Sequence, residues 1–176
     1  MTFEEKTLDS ERIYEGKIIN LRKDHVTVIN GESYREIVEH AGGAVIAAIT
    51  EDNKMAMVRQ YRKPAEQVMF EAPAGKIDPG EDPLVTAKRE LREETGYIAS
   101  EIKEVCHFYP SVGFSEEVLY LYIAKGLTQG ETDFDDNEAL DIELWDINEL
   151  ESMVYAGEIT DAKTIIAILF AAKAIK

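Results

Sequence analysis

Cysteine is all but missing from this chain, with Cys106 alone among 176 residues, so no internal disulfide can form and no thiolate cluster is available for zinc. The apolar stretch around Cys106 makes it a small packing residue rather than a nucleophile, and the lack of disulfides fits a reducing compartment. Histidine is scarce as well. His25, His40 and His107 are too scattered to form a catalytic pattern and are read as structural. No uninterrupted apolar run reaches membrane-spanning length, and the opening MTFEEKTLDS has neither the basic nor the apolar segment of a secretory leader. A cytoplasmic protein with no membrane partner is expected.

Positive charge is the third shortage. Lysine and arginine total 19 against 35 aspartates and glutamates, a formal net charge of −16. Such a surface repels phosphate backbones and anionic lipids, which argues against nucleic acid as a partner. A small anionic substrate is compatible, but only with local cations or a divalent metal to offset the protein's own field. With 45% hydrophobic residues, the chain can bury one compact core.

What is present reads first as strands. Asn30-Gly31, between VTVI and ESYREIVEH, predicts a hairpin with a two-residue type I′ turn. GAVIAAIT and KMAMVRQY, separated by Glu51-Asp52-Asn53, predict a second hairpin buried on both faces. GKIDPGE at 75–81 is a loop, after which Asp82 as N-cap, Pro83 at the first position and Gly96 as terminator predict a helix over 83–95. Strands follow near 102–109 and 118–124, then an acidic loop over 126–139 and the strand LDIELW. Two closing helices are expected. One spans about 149–156 and stops at Gly157; the other is capped by Thr160 and buries Ile165, Ile166, Leu169 and Phe170. The mixture implies an α/β sandwich.

Within the 83–95 helix, Glu90, Glu93 and Glu94 stand at i, i+3 and i+4, within an arc of about 100°. Leu84, Ala87 and Leu91 form the adjoining apolar stripe, while Lys88, Arg89 and Arg92 occupy the remaining arc. Three like charges on one face need compensation by cations or solvent, and hard oxygen ligands suit Mg²⁺ or Mn²⁺. Spacing alone favours a solvated face with an Arg89–Glu93 pair.

The loop before the helix adds a second pattern. Gly75, five residues, Glu81, seven residues, then Arg89-Glu90-Leu91-Arg92-Glu93-Glu94-Thr95-Gly96-Tyr97 resembles the Nudix box, with Tyr97 where an aliphatic residue is usual. The resemblance implies a loop-helix-loop binding divalent cations through Glu90 and Glu94, assisted by Glu93 and the backbone carbonyl of Ala74. Glu81 would be a ligand or orient the helix, and Arg89 would brace a carboxylate. VRQYRKP at 58–64 and FEAPAGKIDPGE at 70–81 are similar to the ADP-sugar pyrophosphatase branch, in which Arg62 would grip a phosphate, Glu71 would contact the sugar or another nucleotide group, and Arg59 would be a second phosphate candidate. Arg59 and Arg62 fall on opposite faces of an alternating strand.

Downstream, Pro110-Ser111-Val112-Gly113-Phe114-Ser115-Glu116-Glu117 takes the place of a Ser-Pro-Gly segment, with Val112 for the proline. Gly113 and Glu117 are the substrate candidates there. The resemblance puts the catalytic base on the acidic loop, at Glu138, with Glu117 as alternative. It further implies a homodimer and an α/β/α Nudix sandwich with a mixed sheet and an N-terminal antiparallel β-hairpin extension. Residues 1–42 would form the dimerisation and base-binding layer, where Tyr14 and Tyr34 pack in the sheet or stack on a base, and 43–176 the Nudix domain. The activity implied is metal-dependent hydrolysis of ADP-ribose to AMP and ribose 5-phosphate, or of a related ADP-sugar. The alternatives are another nucleotide-sugar, a dinucleotide or an oxidised nucleotide as substrate, or a sensor that binds nucleotides without cutting them.

Overall fold

A computed structural model describes residues 3–130 and 141–176, and its chain divides into two compact units, Met1–Gly42 with Tyr109–Val118, and Gly43–Phe108 with Leu119–Lys176. The first unit is a three-stranded antiparallel sheet, one strand more than the expected hairpin: β1 (Thr7–Glu15), β2 (Ile19–Val28) and β3 (Gly31–His40), in that spatial order. Val28 pairs with Gly31, so the turn closes on Ile29-Asn30 rather than Asn30-Gly31. It is not type I′ either, because that turn needs positive φ at both central residues and here only Gly31, at φ 131°, has it. Glycine absorbs the reversal at the first residue of β3 instead of inside the turn. The segment Tyr109–Val118 lies along β3, where the Val38 N–H donates to Phe114 O (2.7 Å) and the Glu116 N–H to Val38 O (3.1 Å).

The second unit holds the larger core. Its elements are β4 (Gly43–Ala48), β5 (Lys54–Arg62), β6 (Gln67–Glu71), β7 (Ala74–Lys76), α1 (Pro83–Thr95), β8 (Tyr97–Phe108), β9 (Leu119–Gln129), β10 (Asp141–Asp146), α2 (Ile147–Ala156) and α3 (Ala162–Ala174). A mixed sheet runs β7-β4-β9-β8, with β4 and β9 parallel; a second, antiparallel sheet runs β10-β5-β6. The two apolar segments flanking Glu51-Asp52-Asn53 therefore do not form the predicted hairpin. They share one bridge, Ile49–Met55, and then enter different sheets, because β7 and β9 already fill both edges of β4.

Burial on both faces of β4 is as the apolar run suggests, and all six of its residues are buried. Its side chains alternate between two cores. Ala44, Ile46 and Ala48 join Ala87 and Leu91 of α1; Val45 and Ala47 join Ile147 and Leu150 of α2 and Ala167, Ile168 and Ala171 of α3. This is the α/β/α arrangement. Gly43 matters at the start of β4, since a Cβ there would meet the carbonyl oxygen of Gly75 at 2.9 Å.

Helix α1 has the predicted limits and caps. The Asp82 carboxylate accepts from the Leu84 N–H and Gly96 ends the helix at φ 72°. Helix α3 departs from expectation at both cap and face. Asp161, not Thr160, is the N-cap, and its carboxylate accepts from the Thr164 N–H (3.1 Å) and hydroxyl (2.6 Å). A charged oxygen that satisfies two donors is the better cap. The buried face is Thr164, Ala167, Ile168, Ala171 and Ala172, with Ile165 and Ile166 only partly covered and Phe170 exposed. A helix apolar on nearly every side gives periodicity little to choose by, and the alanines allow closer approach to the sheet. Among the described residues no helix is long and apolar enough to cross a membrane.

Candidate active site

The box residues meet around one guanidinium. Arg89 donates through Nε to Glu81 Oε1 (3.2 Å), through Nη1 to Glu90 Oε1 (2.6 Å) and Glu93 Oε2 (3.1 Å), and through Nη2 to Glu81 Oε2 (3.0 Å) and the Lys76 carbonyl (3.2 Å). Arg89 borders the glutamate sector, about 40° from Glu93 on a helical wheel, and its long stem carries the charged head to both Glu90 and Glu93, which supplies part of the compensation that three like-charged side chains require.

The loop-to-helix contact is equally close. The Ala74 N–H donates to Glu94 Oε2 at 3.0 Å, and Glu94 is 4% exposed. A Cβ on Gly75 would lie 1.8 Å from the Glu90 carboxyl carbon, so only glycine lets that carboxylate rest on the strand. Leu91 and Ala87 fix the opposite face of α1 in the core, and Tyr97, at the last box position, packs partly buried against the same cluster.

Glu81 orients the helix from the loop. Besides Arg89 it accepts from the Thr86 hydroxyl at 2.8 Å, and Arg89 first, then Thr86, hold its carboxyl at about 2, down from 4.5. Thr86 is a site residue that sequence reasoning missed; its only signal was a hydroxyl one turn into a helix that faces the loop. A depressed carboxyl pKa contributes stability that is present above the unfolded value and is lost as the pH falls through the folded one. Glu81→Gln should therefore be less stable than the parent at neutral pH, with the gap narrowing from about pH 4.5 down to about 2. Urea midpoints at pH 7, 5 and 3 check this, and a gap that stays constant would contradict it.

A second charged cluster lies on β5, β6 and α3. Arg62 is bidentate on Glu71, Nε to Oε1 and Nη2 to Oε2, both at 2.8 Å. Glu71 Oε2 also accepts from Lys163 Nζ. Burial pushes the Glu71 carboxyl up, but Arg62 and Lys163 outweigh it and hold the carboxyl low, and Glu71 in turn raises Arg62. Glu71, at 2% exposure, is thus a buried counter-ion here. Arg59 is elsewhere: it donates to Glu143 (2.5 Å), lies over the Phe70 ring (4.6 Å) and lines a cavity of about 350 Å³ with Met69, Met153 and Ile159.

In the first unit, Gly113 borders a cavity of about 360 Å³ lined also by Arg22 and Arg35. Glu117 Oε1 is 3.4 Å from His40 Nδ1. Tyr14 and Tyr34 are exposed rather than packed in a core, and Tyr34 stacks on His25 with centroids 4.8 Å apart. Cys106 is partly buried against the main core, with its thiol pushed up by burial. Glu138 lies outside the described residues.

Comparison with known proteins agrees with this geometry. The NUDIX domain family matches residues 40–167. This chain belongs to the Nudix family. An ADP-ribose pyrophosphatase of Bacillus subtilis (strain 168) is 39% identical to this Nudix protein over 172 residues, 96% of this chain and 93% of the relative. A methanol dehydrogenase activator of Bacillus methanolicus is 44% identical over 171 residues, 96% and 92% of the two chains. A crystal structure of an ADP compounds hydrolase matches with a TM-score of 0.85 at 19% identity, over 99% of this chain and 95% of that one, which shows a shared fold.

Nudix membership implies a divalent cation, and the donors at the box fit one. The carboxylates of Glu90, Glu93 and Glu94 and the backbone carbonyl of Ala74 are hard oxygen donors. Among the described residues no three acidic, imidazole or thiol groups close on a single point. Glu90, Glu93 and Glu94 stand along one face of α1 instead.

Proposed function

We propose that this Nudix protein hydrolyses the diphosphate of ADP-ribose, or of a closely related ADP-sugar, to AMP and the sugar phosphate, ribose 5-phosphate in the first case. The observation that carries the reading is the row of glutamates gathered by Arg89 over Gly75, in a chain that matches an ADP-ribose pyrophosphatase along nearly its full length. Glu90 and Glu94, with Glu93 and the Ala74 carbonyl, would hold Mg²⁺, or Mn²⁺ in its place. Such a cation neutralises a diphosphate and stabilises charge developing at phosphorus. Arg89 keeps the carboxylates in register. Arg62 is the phosphate grip, set by Glu71, with Arg59, Gly113 and Glu117 as further substrate contacts and Glu138 as the base. We also propose a cytoplasmic homodimer whose 1–42 layer helps to hold the base.

Product analysis tests this with ADP-ribose, ADP-glucose, GDP-mannose, NADH, diadenosine polyphosphates and oxidised dGTP, each with and without Mg²⁺. AMP released preferentially from ADP-ribose is the expected outcome; cleavage of another compound would keep the chemistry and change the substrate. The 44% identity to a methanol dehydrogenase activator favours a second reading, in which the chain acts on a partner enzyme. If that action needs no hydrolysis, it should survive Glu90→Gln.

A further inference from the structure

We infer that Lys163 is a positioning residue for substrate binding: by holding the buried Glu71 carboxylate, it frees Arg62 to leave that carboxylate for an incoming phosphate. The inference rests on the role proposed above for Arg62. In the structure Arg62 is fully committed, with two 2.8 Å bonds to one carboxylate. An arginine that gripped phosphate would have to give up that pair. Glu71 is almost wholly buried, and stripping a buried carboxylate of its only cation is strongly unfavourable. With Arg62 as sole partner, Glu71 would compete directly with the substrate.

Lys163 changes this balance. Its Nζ donates to Glu71 Oε2 and, at 2.8 Å, to Asp161 Oδ2. The lysine side chain is 14% exposed, whereas that of Arg62 is 42% exposed. One cation is therefore fixed inside while the other faces solvent. The fixed one is well anchored, because Asp161 caps α3 and also accepts from the Thr164 hydroxyl at 2.6 Å, and that hydroxyl accepts from the Ala72 N–H at 2.8 Å. The first turn of α3 is thus tied to the end of β6 that carries Glu71. Arg62 and Lys163 balance Glu71 and Asp161 in number, so when Arg62 turns to an anion Lys163 remains to serve both acids.

Steady-state kinetics on ADP-ribose with Lys163→Met, Lys163→Arg and Glu71→Gln, alone and combined, test this. Lys163→Met should raise KM about tenfold with kcat within about threefold, since binding rather than chemistry is impaired. Lys163→Arg should restore KM to within about twofold. In the Glu71→Gln background Lys163→Met should raise KM by less than about twofold, because an amide neither demands a cation nor holds Arg62. A purely structural lysine would instead lower the melting temperature without this KM pattern. Should Lys163→Met fail to fold, Lys163→Gln, which keeps a donor but no charge, gives the same reading. An unchanged KM in the folded variant, or an equal KM penalty in both backgrounds, would overturn the inference while leaving wild-type turnover intact; a wild type that cleaves no ADP-sugar would end the functional reading and this one together.

Discussion

Glu90→Gln should lower kcat on ADP-ribose by roughly 10³-fold, an effect of the size seen when a group that stabilises transition-state charge is removed, and should leave the fold intact. The amide keeps the shape of the side chain over Gly75, and Arg89 retains Glu81 and Glu93. What disappears is one anionic donor of the proposed cation site. Turnover, a magnesium titration and a thermal melt should therefore separate: the first two fall sharply and the third moves little. A variant that kept wild-type turnover would remove Glu90 from the proposed cation site.

Gly75→Ala should have an effect almost as large without touching a charged residue. Its new Cβ would lie 1.8, 1.9 and 2.3 Å from the carboxyl carbon and oxygens of Glu90, distances that no side chain tolerates, so Glu90 must swing away. The carboxylate is the flexible end of its side chain, and the chain should still fold, with a penalty of about 1–3 kcal/mol for forced repacking. Turnover should drop by roughly 10²–10³-fold, as for loss of the ligand itself. Because both changes remove one carboxylate, the Gly75→Ala/Glu90→Gln double variant should be little worse than the poorer single one. Additive losses in kcat would show that Gly75 acts through something other than Glu90.

How much of this was legible beforehand depended on whether the signal was local. Helix α1 carried its own cap, terminator and stripe, so its limits and its carboxylate face could be read directly. The N-terminal sheet was legible as strands but not in number, since the exposed β1 has little hydrophobic alternation. Separation of β4 from β5 into two sheets could not be read, because an apolar run reports burial on both faces and not which strand fills each edge. The Arg89–Glu93 pair was legible as an i, i+4 spacing, whereas the further bond from Arg89 to the Lys76 carbonyl joins the helix to a loop that spacing does not place. The pairing of Lys163 with Glu71 joins residues 92 positions apart, and nothing in a DAKT turn signals a partner so distant.

Gly43 has no chemistry of its own, yet a Cβ there would meet the Gly75 carbonyl oxygen at 2.9 Å, so a side chain at one glycine presses on the other. A larger residue at the first would press on the strand beneath Glu90, and no compensating change on the helix could relieve it without moving a donor of the proposed cation site. In a library selected for activity, Gly43 should behave as intolerant as a catalytic position, and its rare replacements should survive only alongside second changes in β7.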